Sequence, residues 1–188
     1  PQAKARDIGF DRAMIAAHGH DDRVCSYANL EAILRLDEVE TTAVSLFVDK
    51  EEIGSYGNAS MSSAFFENAV AEILASRGDY SDILTRRAMQ NSKILSADVS
   101  AAVDPDYKDV NDPYNAALVG YGIGVTKYTG ARGKGGCNDA NPEFIAEVRK
   151  KFDDNGVIWQ TCELGKGDQG GGGTIAAELA KHGCEVLD

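Results

Sequence analysis

The feature of this sequence that most constrains its fold is an alternation of short apolar runs with longer amphipathic segments. The runs have the length of a strand and are bounded by charged or turn-forming residues: Thr41–Val48, Lys93–Ala97, Ile123–Tyr128, Val157–Cys162 and a last run beginning at Cys184. Segments with apolar residues at helical spacing begin at Arg23, Phe65, Ser81, Asn141 and Thr174. Strands that alternate with helices predict an α/β layered domain.

The charge balance argues against one large class of partners. The 188 residues include 19 basic and 30 acidic side chains, which gives a net charge of −11. A chain this acidic repels a phosphate backbone, so we expect no nucleic-acid partner, whereas its surface suits cations. Because no run of about 18 apolar residues is present, we also expect no membrane-spanning helix.

The cysteines indicate a reducing compartment. The four of them are far apart and form no C-x-x-C pair: Cys25, Cys137, Cys162 and Cys184. This spacing argues against a structural zinc site or a redox motif. Since a chain of this length folds without disulfides, we expect mostly buried thiols and a cytoplasmic protein.

Acidic residues follow two predicted strands and open one predicted helix. Asp21 and Asp22 stand at the helix start, Asp49–Glu52 follows one strand and Asp98 follows another. Ligand sites of α/β sheets lie at the carboxyl ends of strands, so these carboxylates can converge. Crowded carboxylates need a neutralising cation, and a pair of divalent metal ions with one further carboxylate as base would suit them. The alternative is a set of solvated caps and turns.

Two other segments permit competing interpretations. His18 and His20 have the spacing of a metal-binding pair, or belong to a polar loop before the helix. Gly165–Gly170 fits the G-x-G-x-x-G pattern of dinucleotide-binding folds. However, Gly171–Gly173 extends the glycine run where that fold needs a helix, at a cost of about 1 kcal/mol per residue. A backbone wall beside a ligand, where side chains would collide, is the other interpretation.

Several motifs, in order along the chain, resemble those of M18-type metalloaminopeptidases, the group of aspartyl aminopeptidase and aminopeptidase I. The motifs are His20-Asp-Asp-Arg-Val-Cys25, Asp49-Lys-Glu-Glu-Ile-Gly-Ser55, Ser96-Ala-Asp-Val-Ser100, Lys127–Lys134 and Asp168–Thr174. The resemblance covers essentially the whole chain. It implies a mostly parallel sheet flanked by helices, as in zinc peptidases, and an enzyme that hydrolyses the N-terminal peptide bond of its peptide substrates.

The resemblance also implies a role for each matching residue. Asp21 resembles the carboxylate that bridges two divalent metal ions, and Glu52 and Asp98 resemble the terminal ligands, one to each ion. Glu51 resembles the general base. The residues expected beside the substrate are Lys134, Gly170, Gly171 and Gly172. Zinc is the expected metal, although cobalt or manganese suits the same ligands.

The departures from the family pattern predict an incomplete site. Two family histidine ligands, near the start and the end of the catalytic domain, have no counterpart here, and neither has the dimerisation domain. The chain opens at Pro1 without an initiator methionine and stops within a predicted strand. We therefore expect residues 1–188 to be the central part of the catalytic domain of a homo-oligomeric enzyme. The alternatives are a catalytically inactive fragment and a nucleotide-binding α/β module.

Overall fold

Residues 4–132 and 134–188 are described by the computed structural model, which comprises two units. The first unit contains the residues up to Phe47 together with Ala97–Val99. The second contains Val48–Ser96 and Ser100–Asp188. In the described part of the chain, no helix has both the length and the apolar character needed to cross a bilayer.

The first unit contains a strand pair and one long helix. Strands β1 (Arg6–Ile8) and β2 (Met14–Ala16) pair antiparallel, and their pairing was not predicted. Helix α1 spans His20–Leu34, but the backbone at Asp21 and Asp22 is non-helical. Regular helix therefore begins at the predicted Arg23. The apolar face of α1 is exposed rather than buried, with exposed fractions from 42% at Leu30 to 71% at Leu34.

The strand predicted over Thr41–Val48 is wrong. The residues of this run take part in no β-ladder within the described chain. Apolar β-favouring residues supply only a preference for extended backbone, and a strand also needs a partner to accept its hydrogen bonds. No described strand pairs with this run.

The second unit is built on two pairs of parallel strands. Strand β3 (Lys93–Leu95) pairs with β8 (Glu185–Leu187), and β4 (Ile123–Val125) pairs with β7 (Trp159–Thr161). The two pairs adjoin at their carboxyl ends, where the Thr126 amide donates a 2.8 Å hydrogen bond to the Asp188 carbonyl. These parallel strands and the helices beside them confirm the predicted α/β class, as an incomplete layer.

The predicted strand Ile123–Tyr128 is two strands in the structure. Strand β4 ends at Val125, and β5 (Tyr128–Ala131) begins three residues later. Strand β5 pairs antiparallel with β6 (Gly135–Asp139), which was not predicted, and the register shifts between Thr129 and Ala131. The break lets the chain leave the parallel strands and form a hairpin.

Four helices complete the second unit: α2 (Phe65–Ser76), α3 (Asp82–Gln90), α4 (Pro142–Asp154) and α5 (Ala176–Ala180). The Ser81 hydroxyl caps α3 by accepting a 3.3 Å hydrogen bond from the Leu84 amide. Pro142 opens α4 as predicted. Helix α5 is shorter than the predicted Thr174–His182. Helix α4 packs on the ends of β4 and β8 through the buried core residues Val125, Ala140, Phe144, Val148 and Leu187.

Candidate metal centre and glycine-rich cleft

Three carboxylates of the first unit form a compact cluster. Asp21, Asp22 and Asp98 each offer one oxygen, and these oxygens lie within 4.8 Å of one another. The non-helical backbone at the start of α1 includes a cis peptide bond between Asp21 and Asp22. The structure thus brings together two of the predicted ligands, Asp21 and Asp98. Carboxylates at this spacing repel unless a proton or a cation neutralises them.

Asp22 belongs to the cluster, although the resemblance to the family assigned it no role as a ligand. Its Oδ1 atom is buried and has no hydrogen-bond partner among the described residues. Its Oδ2 atom accepts a long hydrogen bond of 3.5 Å from the Ser26 hydroxyl. A buried carboxylate oxygen without a donor is costly, and a cation would satisfy it. The cluster therefore fits a divalent metal ion.

The thiol of Cys25 is affected by the negative charge of the cluster. Burial raises its pKa to about 12, and the hydrogen bond to Asp22 together with the charges of Asp22, Asp98 and Asp21 contributes to the rise. The thiol is therefore protonated at neutral pH. The same negative potential that disfavours a thiolate favours a bound cation.

The predicted base, Glu51, and the third predicted ligand, Glu52, lie in the second unit. Glu51 and Glu52 are part of a single 3-10 turn, Glu51–Ile53. The turn is closed by a 2.8 Å hydrogen bond from the Gly54 amide to the Glu51 carbonyl. Lys50, before the turn, donates to Asp49 from its amide and its ammonium group, and these bonds lower the pKa of that carboxyl group.

The glycine-rich segment Gly170–Gly173 lies alongside β5. The amides of Gly130 and Arg132 each donate a 2.8 Å hydrogen bond, to the carbonyls of Gly172 and Gly170. At Gly171 the backbone has φ +93°, and a Cβ atom would lie 2.3 Å from the Gly130 carbonyl oxygen. Close approach of two backbones, rather than flexibility, explains this glycine.

The same geometry disfavours the dinucleotide-binding interpretation. In that fold, the last motif glycine stands within the first turn of a helix that binds the pyrophosphate. Here the last motif glycine, Gly170, is followed by backbone that pairs with β5, and α5 begins only at Ala176. The segment is therefore a backbone wall.

A cleft opens beside this wall. Its empty space is about 300 Å³, open solvent included, and its lining residues are Tyr128, Gly130, Glu163, Leu164, Gly165, Gly167, Gly170 and Gly171. Of the residues predicted to contact substrate, Gly170 and Gly171 line the cleft, and Gly172 pairs with β5. Lys134 is exposed in the β5–β6 turn, and the neighbouring Gly133 of the same predicted motif lies outside the described residues.

Comparison with known proteins identifies the family. A model of the aminopeptidase I zinc metalloprotease family (M18) matches residues 1–188. The chain is 54% identical to the probable M18 family aminopeptidase 1 of Clostridium acetobutylicum over 188 residues, which is 100% of this chain and 40% of that protein. The chain therefore belongs to the M18 family of zinc metalloproteases, as its motifs predicted.

Solved structures agree with this assignment. The crystal structure of an M18-family aminopeptidase from Thermotoga maritima matches with a TM-score of 0.92 and 46% identity, over 100% of this chain and 42% of that chain. The S. cerevisiae mApe1 dodecamer matches with a TM-score of 0.70 and 25% identity, over 99% of this chain and 41% of that chain. The chain thus spans about two fifths of the length of these relatives.

Proposed function

We propose that the complete protein is a metal-dependent aminopeptidase that removes N-terminal residues from peptides. The observation that carries this proposal is the cluster of Asp21, Asp22 and Asp98, whose oxygens lie within 4.8 Å of one another in a chain of a zinc metalloprotease family. When bound, divalent metal ions supply polarisation of the scissile carbonyl group and acidification of a water molecule.

The carboxylates of this chain have two kinds of role, as metal ligands and as the general base. Asp21 would hold both ions, and Asp98 and Glu52 would each hold one. Glu51, half-buried on a closed turn, would take the proton from the attacking water and return it to the departing amine. Lys134 and the backbone of Gly170, Gly171 and Gly172 contact the substrate.

The proposed site binds two metal ions, and zinc is the proposed metal. Two ions would fit the three proposed carboxylate ligands better than one, because a single tetrahedral zinc has no place for a bridging carboxylate and a shared water. Zinc agrees with the family description. Cobalt and manganese are the other candidates, since oxygen ligands accept them as well.

The cysteines, a solved relative and the net charge bear on where the protein acts and on its partners. All four cysteines are free thiols, which supports a cytoplasmic location because disulfides are rare in reducing compartments. We also infer that the complete protein is a homo-oligomer, in keeping with the dodecamer of its yeast relative. Its substrates are peptides, and the net charge of −11 disfavours nucleic acid.

The assignment of Glu51 is tested in the complete, zinc-loaded protein with the Glu51→Gln variant. We expect kcat to fall by roughly 10²–10⁴-fold, the usual contribution of a general base, while the zinc content is unchanged. Glu72→Gln, an exposed glutamate on α2, is the matched control and should leave both quantities unchanged. Loss of zinc together with activity in Glu51→Gln would make Glu51 a ligand and not the base.

A further inference from the structure

The cleft beside the glycine-rich segment has side chains that the proposed catalytic roles do not use. One wall of the cleft consists of glycine backbone. Two of these glycines lie so close together that a Cβ atom at Gly165 would be 2.5 Å from the Gly171 amide nitrogen. The side chains that line the cleft come from Tyr128, Glu163 and Leu164, and all three are half-buried. The cleft therefore combines one aromatic ring, one aliphatic side chain and one carboxylate.

Backbone hydrogen bonds of Glu163 and of the residue before it position Glu163. Its amide donates a 2.9 Å hydrogen bond to the Asn115 carbonyl. Just before it, Cys162 is 2% exposed, and its amide is bonded to the Val125 carbonyl at the end of β4. Glu163 is thus the second residue after β7, at the carboxyl edge where α/β proteins bind ligands.

The electrostatic surroundings of the cleft are negative. A hydrogen bond to Cys137, burial, and the negative charges of Asp139 and Asp168 raise the pKa of the Tyr128 phenol to about 12. Glu163 is the one carboxylate among the described lining residues. Of the described cations in these segments, Lys127 pairs with Asp139, and Arg132, Lys134 and Lys166 are exposed.

We propose that this cleft receives the side chain of the substrate's N-terminal residue and selects a basic residue, Lys or Arg, through Glu163. The inference rests on the proposed aminopeptidase function and names its substrate class. Leu164 and the Tyr128 ring pack against the methylene groups of the incoming side chain, and Glu163 pairs with its cationic end. An acidic N-terminal residue is disfavoured, because its carboxylate would face Glu163 in a half-buried cleft.

The test is the hydrolysis of lysyl, leucyl and aspartyl p-nitroanilides by the complete, zinc-loaded protein. We expect kcat/KM to decrease in the order Lys, Leu, Asp. In Glu163→Gln we expect the ratio of kcat/KM for Lys over Leu to fall about tenfold or more, with the leucyl value within about twofold of the wild type. In Glu163→Lys the preference between Lys and Asp should reverse.

A matched control separates selection from general damage. Glu178→Gln removes a carboxylate of α5 that is bonded to Lys181 and does not line the cleft, and all three rates should keep their wild-type ratios. If Glu163→Gln hydrolyses all three substrates with the wild-type ratio of kcat/KM for Lys over Leu, the cleft proposal is wrong and the aminopeptidase function still stands. Hydrolysis of none by the wild type would overturn the aminopeptidase function, and the cleft proposal with it.

Discussion

At the scale of single residues, the start of α1 holds the most informative group, the thiol of Cys25. With a pKa of about 12, the thiolate is roughly 0.03% of the population at pH 8.5, against about half for an unperturbed cysteine. We therefore expect iodoacetamide to alkylate Cys25 in the folded chain far more slowly than in the urea-unfolded chain. Mass spectrometry of the peptide that contains Cys25 measures both rates.

The Asp98→Asn variant tests the cause of this slow reaction. Removing one negative charge lowers the pKa of Cys25, so alkylation should speed up at every pH below about 12. Asp106→Asn, in an exposed loop, is the control and should leave the rate unchanged. Equal rates for the folded and unfolded wild type would show that neither burial nor the cluster holds the thiol protonated.

The candidate site was only partly predictable at this scale. Asp21 and Asp98 were identified because acids at the edges of predicted elements can converge, and the structure brings these two together. Asp22 was counted among the converging acids but not among the ligands, since a periodic pattern cannot show that the backbone departs from helical geometry at that residue. The selecting role of Glu163 had no sequence signal, because a single glutamate after a strand has no distinctive pattern.

At the scale of secondary-structure elements, the pairing of the glycine-rich segment with β5 makes a clear prediction. Gly171→Ala places a Cβ atom 2.3 Å from the Gly130 carbonyl oxygen at a residue with φ +93°. We expect the unfolding free energy to fall by about 2–4 kcal/mol, the sum of left-handed strain and overpacking. Urea unfolding followed by circular dichroism measures the change.

Gly167 offers a control within the same loop. A Cβ atom there would meet nothing within 4 Å, and its φ lies outside the left-handed region. Gly167→Ala should therefore change the unfolding free energy by no more than about 0.5 kcal/mol. If the two variants were equally stable, the close backbone approach would not be what requires glycine in this segment.

The elements themselves differ in how well local sequence determines them. Helix α4 was predictable because its start signals are local, with Pro142 at the first turn and Gly156, at φ +66°, after its end. Strand β6 was not, because Gly135–Asp139 has weak β propensity and pairs only through its hairpin with β5. The prediction of a strand over residues 41–48 was wrong for the opposite reason. These residues have high β propensity, but no described strand pairs with them.

At the scale of the whole molecule, much apolar surface remains exposed in a chain that covers 40% of its Clostridium relative. Val24, Tyr27 and Leu34 on α1 are 44%, 64% and 71% exposed. The buried core that the structure does have gathers around α4, β4 and β8 in the second unit. Composition predicted an ordinary globular chain, but it cannot show which apolar residues find partners within 188 residues.

Metal content tests the site at this scale. Zinc sites in proteins usually include an imidazole or thiolate ligand, and the clustered residues of the described chain are all carboxylates. The described chain offers the cluster of Asp21, Asp22 and Asp98. We therefore expect the 188-residue chain to retain at most one weakly held zinc ion after dialysis, and the complete protein to retain two, as measured by elemental analysis.

Two substitutions test whether the carboxylate cluster binds this zinc ion. Asp21→Asn should abolish zinc binding by the 188-residue chain, because it removes one of the three clustered carboxylates, whereas Asp106→Asn should leave it unchanged. Two tightly held ions in the 188-residue chain would mean that side chains outside the cluster also bind zinc. His18 and His20, next to the cluster in sequence, would then be the first to substitute, since imidazole is a preferred zinc ligand and the three clustered residues offer none.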